Sequence, residues 1–129
     1  MATLKEHAPA TVPPPFSRYS LGVEVTGAER WLLLSGQVGV DPAGTLAEGA
    51  EAQIEQAWRN ILAILESAGM DADNLVKVTV FLTRREDLAA YRRARDRVLG
   101  TAKPASSLLF VAGLADPAWL AEIEAVAAQ

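Results

Sequence analysis

The chain contains no cysteine, and its only histidine among 129 residues is His7, close to the N-terminus. Without cysteine it can form no disulfide, no thiolate metal site and no cysteine nucleophile. A single histidine likewise argues against a Ser-His-Asp triad and against a histidine-based metal site. Glycine-rich dinucleotide and P-loop motifs are also missing. We therefore expect no metal and no cofactor, so acid–base chemistry must depend on carboxylates, tyrosines, lysines, arginines, hydroxyls or bound water.

The chain also lacks an excess of basic residues, since its formal net charge is −4. A nucleic-acid partner is disfavoured, because binding to phosphates requires a basic patch. No apolar run approaches the ~20 residues that a membrane span needs, and the N-terminus lacks the apolar core of a secretory signal. We expect a cytoplasmic protein that binds neither nucleic acid nor membranes.

A proline-rich segment precedes the region that is patterned as a folded domain. Residues 1–15 are polar and end in three consecutive prolines, which cannot join a strand ladder. We expect this segment to be extended and mobile, and a single domain to span residues 16–129. Residues 19–27 and 30–38 are patterned as the two strands of a hairpin.

Two segments have the periodicity of amphipathic helices. Apolar positions of the first recur at helical spacing: Ile54, Ala57, Trp58, Ile61, Leu62, Leu65 and Ala68. Gly69 follows this stripe as a typical C-terminal residue. The second helix is expected to begin near Asp87, a residue type that favours the N-cap, and to end at Gly100.

Three further segments, residues 74–82, 106–111 and 119–127, have the apolar pattern of strands. The order β-β-α-β-α-β-β predicts an α+β sandwich, with one sheet and two helices on one of its faces. The sheet carries more apolar side chains than two helices can cover: Val25, Trp31, Leu33, Phe81, Leu109 and Ile123. Uncovered apolar area of this kind predicts an oligomer.

A small polar cluster closes the apolar strand of residues 30–38. Gly36 would permit close approach of a ligand to the backbone, and Ser35 and Gln37 offer hydrogen bonds. The alternative is a strand-ending turn or bulge. Local sequence alone favours this alternative, because glycine so often marks turns.

Two carboxylates, Glu122 and Glu124, alternate along the last strand and therefore share one face. Their neighbours Leu120 and Val126 suggest that this face is buried, where a carboxylate needs a partner. One hypothesis is a general acid–base that holds a water, and the other is an ion pair with an arginine of this or a neighbouring subunit. The two are balanced for Glu122, and the ion pair is favoured for Glu124.

The second helix carries four arginines in the stretch YRRARDR. Most of them are expected on a solvated face with salt bridges to residues one turn away. Arg92, near the helix start, could instead reach a neighbouring cleft, where its planar fork suits a carboxylate ligand.

Four stretches carry a family resemblance: SGQVGVD, EAQIEQAWRNILAILESAGM, NLVKVTVFLT with DLAAYRRARDRV, and KPASSLLFVAGLADPAWLAEIEAVA. In this order and at these separations they resemble the landmarks of the RidA superfamily, also called YjgF or liver perchloric-acid-soluble protein. The resemblance covers about residues 19–127. It implies a chorismate-mutase-like fold and a homotrimer with three ligand clefts, one at each subunit interface.

The resemblance also implies an activity, because well-known members hydrolyse reactive imines and enamines such as 2-aminoacrylate to a 2-keto acid and ammonia. By position, Tyr19 matches the tyrosine that closes the cleft, and Ser35 with Gly36 matches the Ser-Gly of the strand-ending motif. Glu122 matches the carboxylate that positions the attacking water. A small-molecule metabolite is thus the implied ligand.

One motif departs from the family pattern. Where relatives have Pro-Ala-Arg, whose arginine grips the substrate carboxylate, this chain has Pro104, Ala105 and Ser106, followed by Ser107. Losing a charge-assisted contact removes about 1.5–3 kcal/mol of binding, so 2-aminoacrylate is a doubtful substrate. The asparagine that relatives carry near the cleft aligns with Arg92, which could supply a relocated charge.

Two hypotheses follow from the sequence. The first is an imine or enamine hydrolase in which Glu122 holds the water while Ser106, Ser107 and backbone N–H groups orient the substrate. The alternative is a non-catalytic trimer that binds a metabolite and has a regulatory role. A nuclease or translation inhibitor, an older label of the family, ranks below both because the chain is acidic and has no histidine pair.

Overall fold

The computed structural model describes residues 2–129, which form six strands and two α-helices. The strands are β1 (Thr3–His7), β2 (Gly22–Thr26), β3 (Trp31–Val38), β4 (Leu75–Leu82), β5 (Ala105–Phe110) and β6 (Ala121–Ala128). The helices are α1 (Ala50–Ser67) and α2 (Leu88–Leu99). In this part of the chain no helix combines the length and the apolar character needed to cross a membrane.

Four strands form the main sheet in the order β3-β6-β4-β5. β6 is antiparallel to both of its neighbours, whereas β4 and β5 are parallel and are connected through α2. Both helices pack on the same face of this sheet. The predicted α+β class, with two helices on one face of a mixed sheet, is confirmed.

The core lies between the helices and the sheet. The apolar stripe predicted for α1 is buried there at Ile54, Ala57, Trp58, Ile61 and Leu65. Facing it are the inward side chains of β4 and β6, which alternate with the outward ones: Val78, Val80, Leu82, Ala121, Ile123 and Ala125. Burial of this stripe is what holds α1 to the sheet, since apolar area removed from water stabilises by about 25 cal/mol per Å².

Two expectations about the N-terminal region are wrong. Thr3–His7 forms β1, so ordered structure begins well before Phe16, and β2 pairs with β1 rather than with β3. The short β1 was missed because its sequence is largely charged. Its pairing places Lys5 directly opposite Glu24, an attractive cross-strand pair. Mobility of the proline-rich residues 8–15 stays a prediction.

Hydrogen bonds to the C-terminal residue help to place β3 beside β6, away from β2. The backbone N–H groups of Glu29 and Arg30 both donate to the Gln129 carbonyl, at 3.0 and 2.9 Å. These bonds steer the chain into β3 beside β6. A hairpin between consecutive strands was the local expectation, and this long-range pairing overrides it.

The face of the sheet opposite the helices is open in the single chain. Trp31, Leu33 and Leu109 are 54%, 76% and 45% exposed there. Two residues predicted to add to this surplus do not, because Ile123 points into the core and Val25 lies on the β1–β2 ribbon. The open face remains a large apolar surface on an otherwise ordinary domain.

Polar side chains of α1 tie the helix to the ends of two strands. The buried Gln53 donates through Nε2 to the Ala118 carbonyl at 3.2 Å and accepts from the Leu120 N–H at 2.9 Å. Asn60 donates to the carbonyls of Val38 and Val40 at 3.2 and 2.9 Å. Because these bonds lie at the start of β6 and the end of β3, α1 sets where those strand ends are placed.

The close packing of α1 depends on Gly39. A Cβ at this position would lie 2.5 Å from both Cα and Cβ of Gln53. We expect Gly39→Ala to lower the free energy of unfolding by about 1–3 kcal/mol, the usual cost of overpacking. Urea denaturation of the purified protein measures this.

Gly113 provides the matched control, because a Cβ there would have no atom within 4 Å. Gly113→Ala should change the free energy of unfolding by less than about 0.5 kcal/mol. Equal stability of the Gly39 and Gly113 variants would contradict the packing argument.

Candidate functional site

A cavity of about 270 Å³ opens between the start of α2 and strand β5. Its lining residues are Phe16, Ser17, Tyr19, Leu88, Tyr91, Arg92, Arg95, Ser106 and Leu108. Ser106 faces this side of the sheet because it pairs in register with Val78, whose side chain points into the core. Three residues proposed from sequence, Tyr19, Arg92 and Ser106, are therefore brought together here. We call this space the helix-side cavity.

Arg92 is the arginine of α2 that has no carboxylate partner among residues 2–129. Arg93 contacts Glu51 at 2.8 Å on the outer surface, and Arg97 contacts Glu51 and Glu55 at 3.3 and 3.2 Å. These two confirm the expected solvated face, but their partners lie on α1 and not one turn away on α2. Arg92 instead lines the helix-side cavity, and its charge is uncompensated there.

Arg95 also lines the cavity, but its charge is compensated. It is only 5% exposed, it contacts Asp96 at 3.0 Å, and its Nη1 donates to Ser17 Oγ at 3.1 Å. The guanidinium also lies over the Tyr91 ring, 5.6 Å from the centroid. Arg95 therefore acts as a fixed part of the cavity wall that positions Ser17.

Two tyrosines line the cavity, and only Tyr19 is partly exposed. Tyr19 is held beside β5 because the next residue, Ser20, donates its N–H to the Pro104 carbonyl at 3.2 Å. The Tyr19 hydroxyl accepts from the Phe16 N–H at 3.2 Å, which leaves its own proton free for a ligand. Tyr91 is fully buried and its hydroxyl has no hydrogen-bond partner among the described residues.

The other candidates lie at the far side of the sheet. Strand β3 has a register irregularity between Leu34 and Gln37, which is the bulge expected around Ser35 and Gly36. A Cβ on Gly36 would lie 2.7 Å from Glu122 Cδ, so glycine is required for the carboxylate to pack against the backbone. The bulge interpretation is therefore confirmed, and the approach of a ligand to Gly36 stays a prediction.

Glu122 and Glu124 point to the open face, opposite Phe81 and Thr79 of β4. The expectation of a buried face is wrong for one chain, since Glu124 is exposed and Glu122 is half-buried. Neither makes an ion pair within residues 2–129. Leu120 and Val126 were a misleading signal, because the apolar open face extends around the carboxylates without covering them.

Ser107 also faces away from the helix-side cavity. It pairs with Thr79 of β4, and its Oγ accepts a hydrogen bond from Lys77 Nζ at 2.9 Å. Ser106 and Ser107, which are adjacent in sequence, therefore serve opposite faces of the sheet. The single chain divides the candidates into two sets: Tyr19, Arg92 and Ser106 at the helix-side cavity, and Ser35, Gly36, Ser107 and Glu122 on the other side.

Several residues of the cavity were not proposed from sequence, among them Phe16, Ser17 and Leu88. Phe16 and Ser17 lie just after the proline-rich segment and carry no local signal. Tyr91 and Arg95 lie on the buried face of α2. Their polar groups, a hydroxyl and a guanidinium, interrupt an otherwise apolar helix face. This interruption is the sequence signal that could have indicated a cavity.

Comparison with known proteins decides the family. The family model described as Endoribonuclease L-PSP matches residues 9–129. The chain belongs to the RidA/YjgF family. Among its relatives, the 2-iminobutanoate/2-iminopropanoate deaminase of Salmonella typhimurium is 35% identical over 126 residues, covering 95% of this chain and 92% of that protein.

Solved structures of the RidA/YjgF family have the same fold. YyfB from Yersinia pestis, described as a protein of unknown function of the Rid family, aligns over 98% of both chains with a TM-score of 0.86 and 30% identity. The YjgF protein of E. coli aligns over 97% of this chain and 98% of its own, with a TM-score of 0.73 and 31% identity.

The unpartnered hydroxyl of Tyr91 has a consequence for stability. Removing it in Tyr91→Phe should leave the free energy of unfolding at pH 7 unchanged or raise it by up to about 1–3 kcal/mol, because a buried polar group without a partner is costly. Urea denaturation measures this. A clear loss of stability would show that the hydroxyl has a stabilising partner.

The Tyr91→Phe variant also tests how the free energy of unfolding depends on pH. Burial raises the pKa of Tyr91 above the ordinary value of 10.0, and the nearby charge of Arg95 opposes this more weakly. Above pH 10 the unfolded state releases the phenol proton and the folded state retains it, so stability should fall as the pH rises. Tyr91→Phe should lose this component of the fall, and identical profiles would contradict the shift.

Proposed function

We propose that the chain forms a homotrimer whose inter-subunit clefts hydrolyse a small imine or enamine. The observation that carries the proposal is the division of the candidate residues between two faces of one sheet. Tyr19, Arg92 and Ser106 cannot act with Glu122 of the same chain if they open to opposite sides. A neighbouring subunit whose own open face packs beside the helix-side cavity would bring its Glu122 to these residues.

The apolar residues of the open face support such an assembly. Leu33 and Trp31 are 76% and 54% exposed, and their burial would stabilise association. Three-fold closure is the arrangement that the family resemblance implies, and a closed ring covers the same face of every subunit. The trimer and the composite cleft are thus one proposal.

The proposed reaction adds water across a carbon–nitrogen double bond. The Glu122 carboxylate accepts a proton from water as the oxygen attacks the imine carbon, and the proton is passed to nitrogen. The carbinolamine hydroxyl then passes its proton through Glu122 to the amino group, the C–N bond breaks, and the carbonyl compound and ammonia are released. An enamine first tautomerises to the imine, so both substrates give the same products. Gly36 supports this role because it allows the carboxylate to rest against the β3 backbone.

The substrate is expected to differ from 2-aminoacrylate. Ser106 occupies the position of the arginine that grips the substrate carboxylate in relatives, and a serine hydroxyl cannot supply that charge. The deaminases among the relatives are named for 2-iminobutanoate and 2-iminopropanoate. Because Ser106 replaces the arginine, we do not expect this chain to share their substrate specificity.

The same substitution favours a second function. A trimer that binds a metabolite and reports it to a partner would need the cleft but not the arginine or the chemistry. In that case a ligand would raise the melting temperature without being converted. The metabolite-binding trimer and the hydrolase would both bind the ligand, and only the hydrolase would convert it.

The assembly is tested by Leu33→Glu, which places a charge on the open face. We expect wild-type protein to sediment as a trimer and this variant to dissociate, because an uncompensated charge in an apolar interface is costly. Ala63→Glu, on the exposed side of α1, should stay trimeric. A monomeric wild type would contradict the proposal.

The activity is tested by ammonia release from 2-imino acids generated in solution, across a panel of side chains. Wild type should exceed the uncatalysed rate for at least one substrate. Glu122→Gln should lower the rate about 10²- to 10⁴-fold, the usual contribution of acid–base catalysis. Glu124→Gln, two residues along the same face, should retain full activity.

Two results would contradict the hydrolase. One is the absence of turnover across the whole panel, which would leave the metabolite-binding trimer. The other is full activity of Glu122→Gln, which would remove the proposed base.

A further inference from the structure

The helix-side cavity has an apolar part and one charged corner. Leu88, Leu108 and the ring of Phe16 supply the apolar surface, and Phe16 is left 80% exposed at the edge of the cavity. A large apolar side chain in that position is uncovered unless a ligand or a neighbour packs on it. The cavity therefore favours a ligand with an apolar body.

The charged corner is Arg92. No aspartate or glutamate lines the cavity, and Arg92 has no carboxylate partner among the described residues. The second guanidinium, that of Arg95, is already paired with Asp96 and bonded to Ser17. The hydroxyl groups of Ser17, Tyr19 and Ser106 around it can donate. A surface of donors with one free positive charge is complementary to one anionic group.

From this we infer the substrate class: Arg92 clamps the carboxylate of an imino acid whose branched or aromatic side chain fills the apolar part of the helix-side cavity. The inference rests on the proposed function, since it takes the ligand to be an acid of that reaction. It adds a specificity-determining residue, Arg92, and a preference for bulky over small side chains.

The volume of the cavity supports the preference for a bulky ligand. At about 30 Å³ for each water, the 270 Å³ of the cavity is far more than a three-carbon imino acid would fill. A small ligand would leave water against Leu88 and Leu108, and an isobutyl or phenyl group would displace it. Each buried CH₂ group improves affinity about fourfold.

The test uses stable 2-oxo acids, which have the carboxylate and side chain of the imino acid and are the products of the proposed hydrolysis. Titration calorimetry of the full chain should show that 4-methyl-2-oxopentanoate binds about 10- to 100-fold more tightly than pyruvate. The ketone 4-methyl-2-pentanone, which keeps the isobutyl group and lacks the carboxylate, should bind weakly.

Arg92→Gln should weaken binding of 4-methyl-2-oxopentanoate about 10- to 100-fold, the loss expected for a charge-assisted contact. Its binding of the neutral ketone should not change. Arg93→Gln is the matched control, because the adjacent arginine is paired with Glu51 outside the cavity. An unchanged circular dichroism spectrum and melting temperature confirm that the variants are folded. Equal binding by Arg92→Gln and wild type would overturn the clamp.

Ser106→Arg tests the preference for bulky ligands by filling part of the apolar space. The long side chain should occupy part of the cavity, weaken binding of 4-methyl-2-oxopentanoate and strengthen that of pyruvate. Equal affinity of wild type for the two acids, or unchanged preference in Ser106→Arg, would overturn the bulky substrate class.

Failure of the inference and failure of the proposed function give different results. If 4-methyl-2-oxopentanoate binds through Arg92 while no imino acid is hydrolysed, the cavity assignment stands and the hydrolase fails. If imino acids are hydrolysed with equal rates for small and branched side chains and without dependence on Arg92, the hydrolase stands and the inference fails.

Discussion

The geometry of the candidate site depends on one buried amide, that of Gln53. Both of its polar ends are used, one by the Ala118 carbonyl and one by the Leu120 N–H. Breaking these bonds would leave buried polar groups without partners, which costs more than the bonds themselves contribute. The amide can reach this segment because Gly39 leaves space for the helix backbone. A helix on one face thus fixes the strand that presents Glu122 on the other.

Strand alternation accounts for the division of the candidate residues. Neighbours such as Ser106 and Ser107 must point to opposite faces of a sheet, and the register with β4 shows which goes where. A sheet one layer thick cannot deliver both sets to one volume within a single chain. If both sets act on one ligand, the second set must come from another copy of the chain, which the proposed trimer would supply.

Local patterns in the sequence predicted the helices and the layer arrangement well. The stripe of α1 repeats within eighteen residues, so its burial follows from spacing alone. Strand pairing could not be predicted in the same way, because β3 pairs with β6 through contacts distant in sequence. Ile123 was assigned to the surplus apolar face. Strand alternation in fact points its side chain to the face opposite that of Glu122. The sequence singled out Arg92 by its place near the helix start. That its charge is unpaired follows only from the structure, in which Glu51 and Glu55 of α1 pair with Arg93 and Arg97.

The β1–β2 ribbon joins the N-terminus to the candidate site through very few atoms. The Ser20 hydroxyl lies between the Glu6 carboxylate and the Lys103 carbonyl, and Tyr19 and Pro104 are the adjacent residues on either side. The hydrophobic core takes no part in this connection. Substitutions in the first seven residues can therefore shift the wall of the cavity without loosening the core.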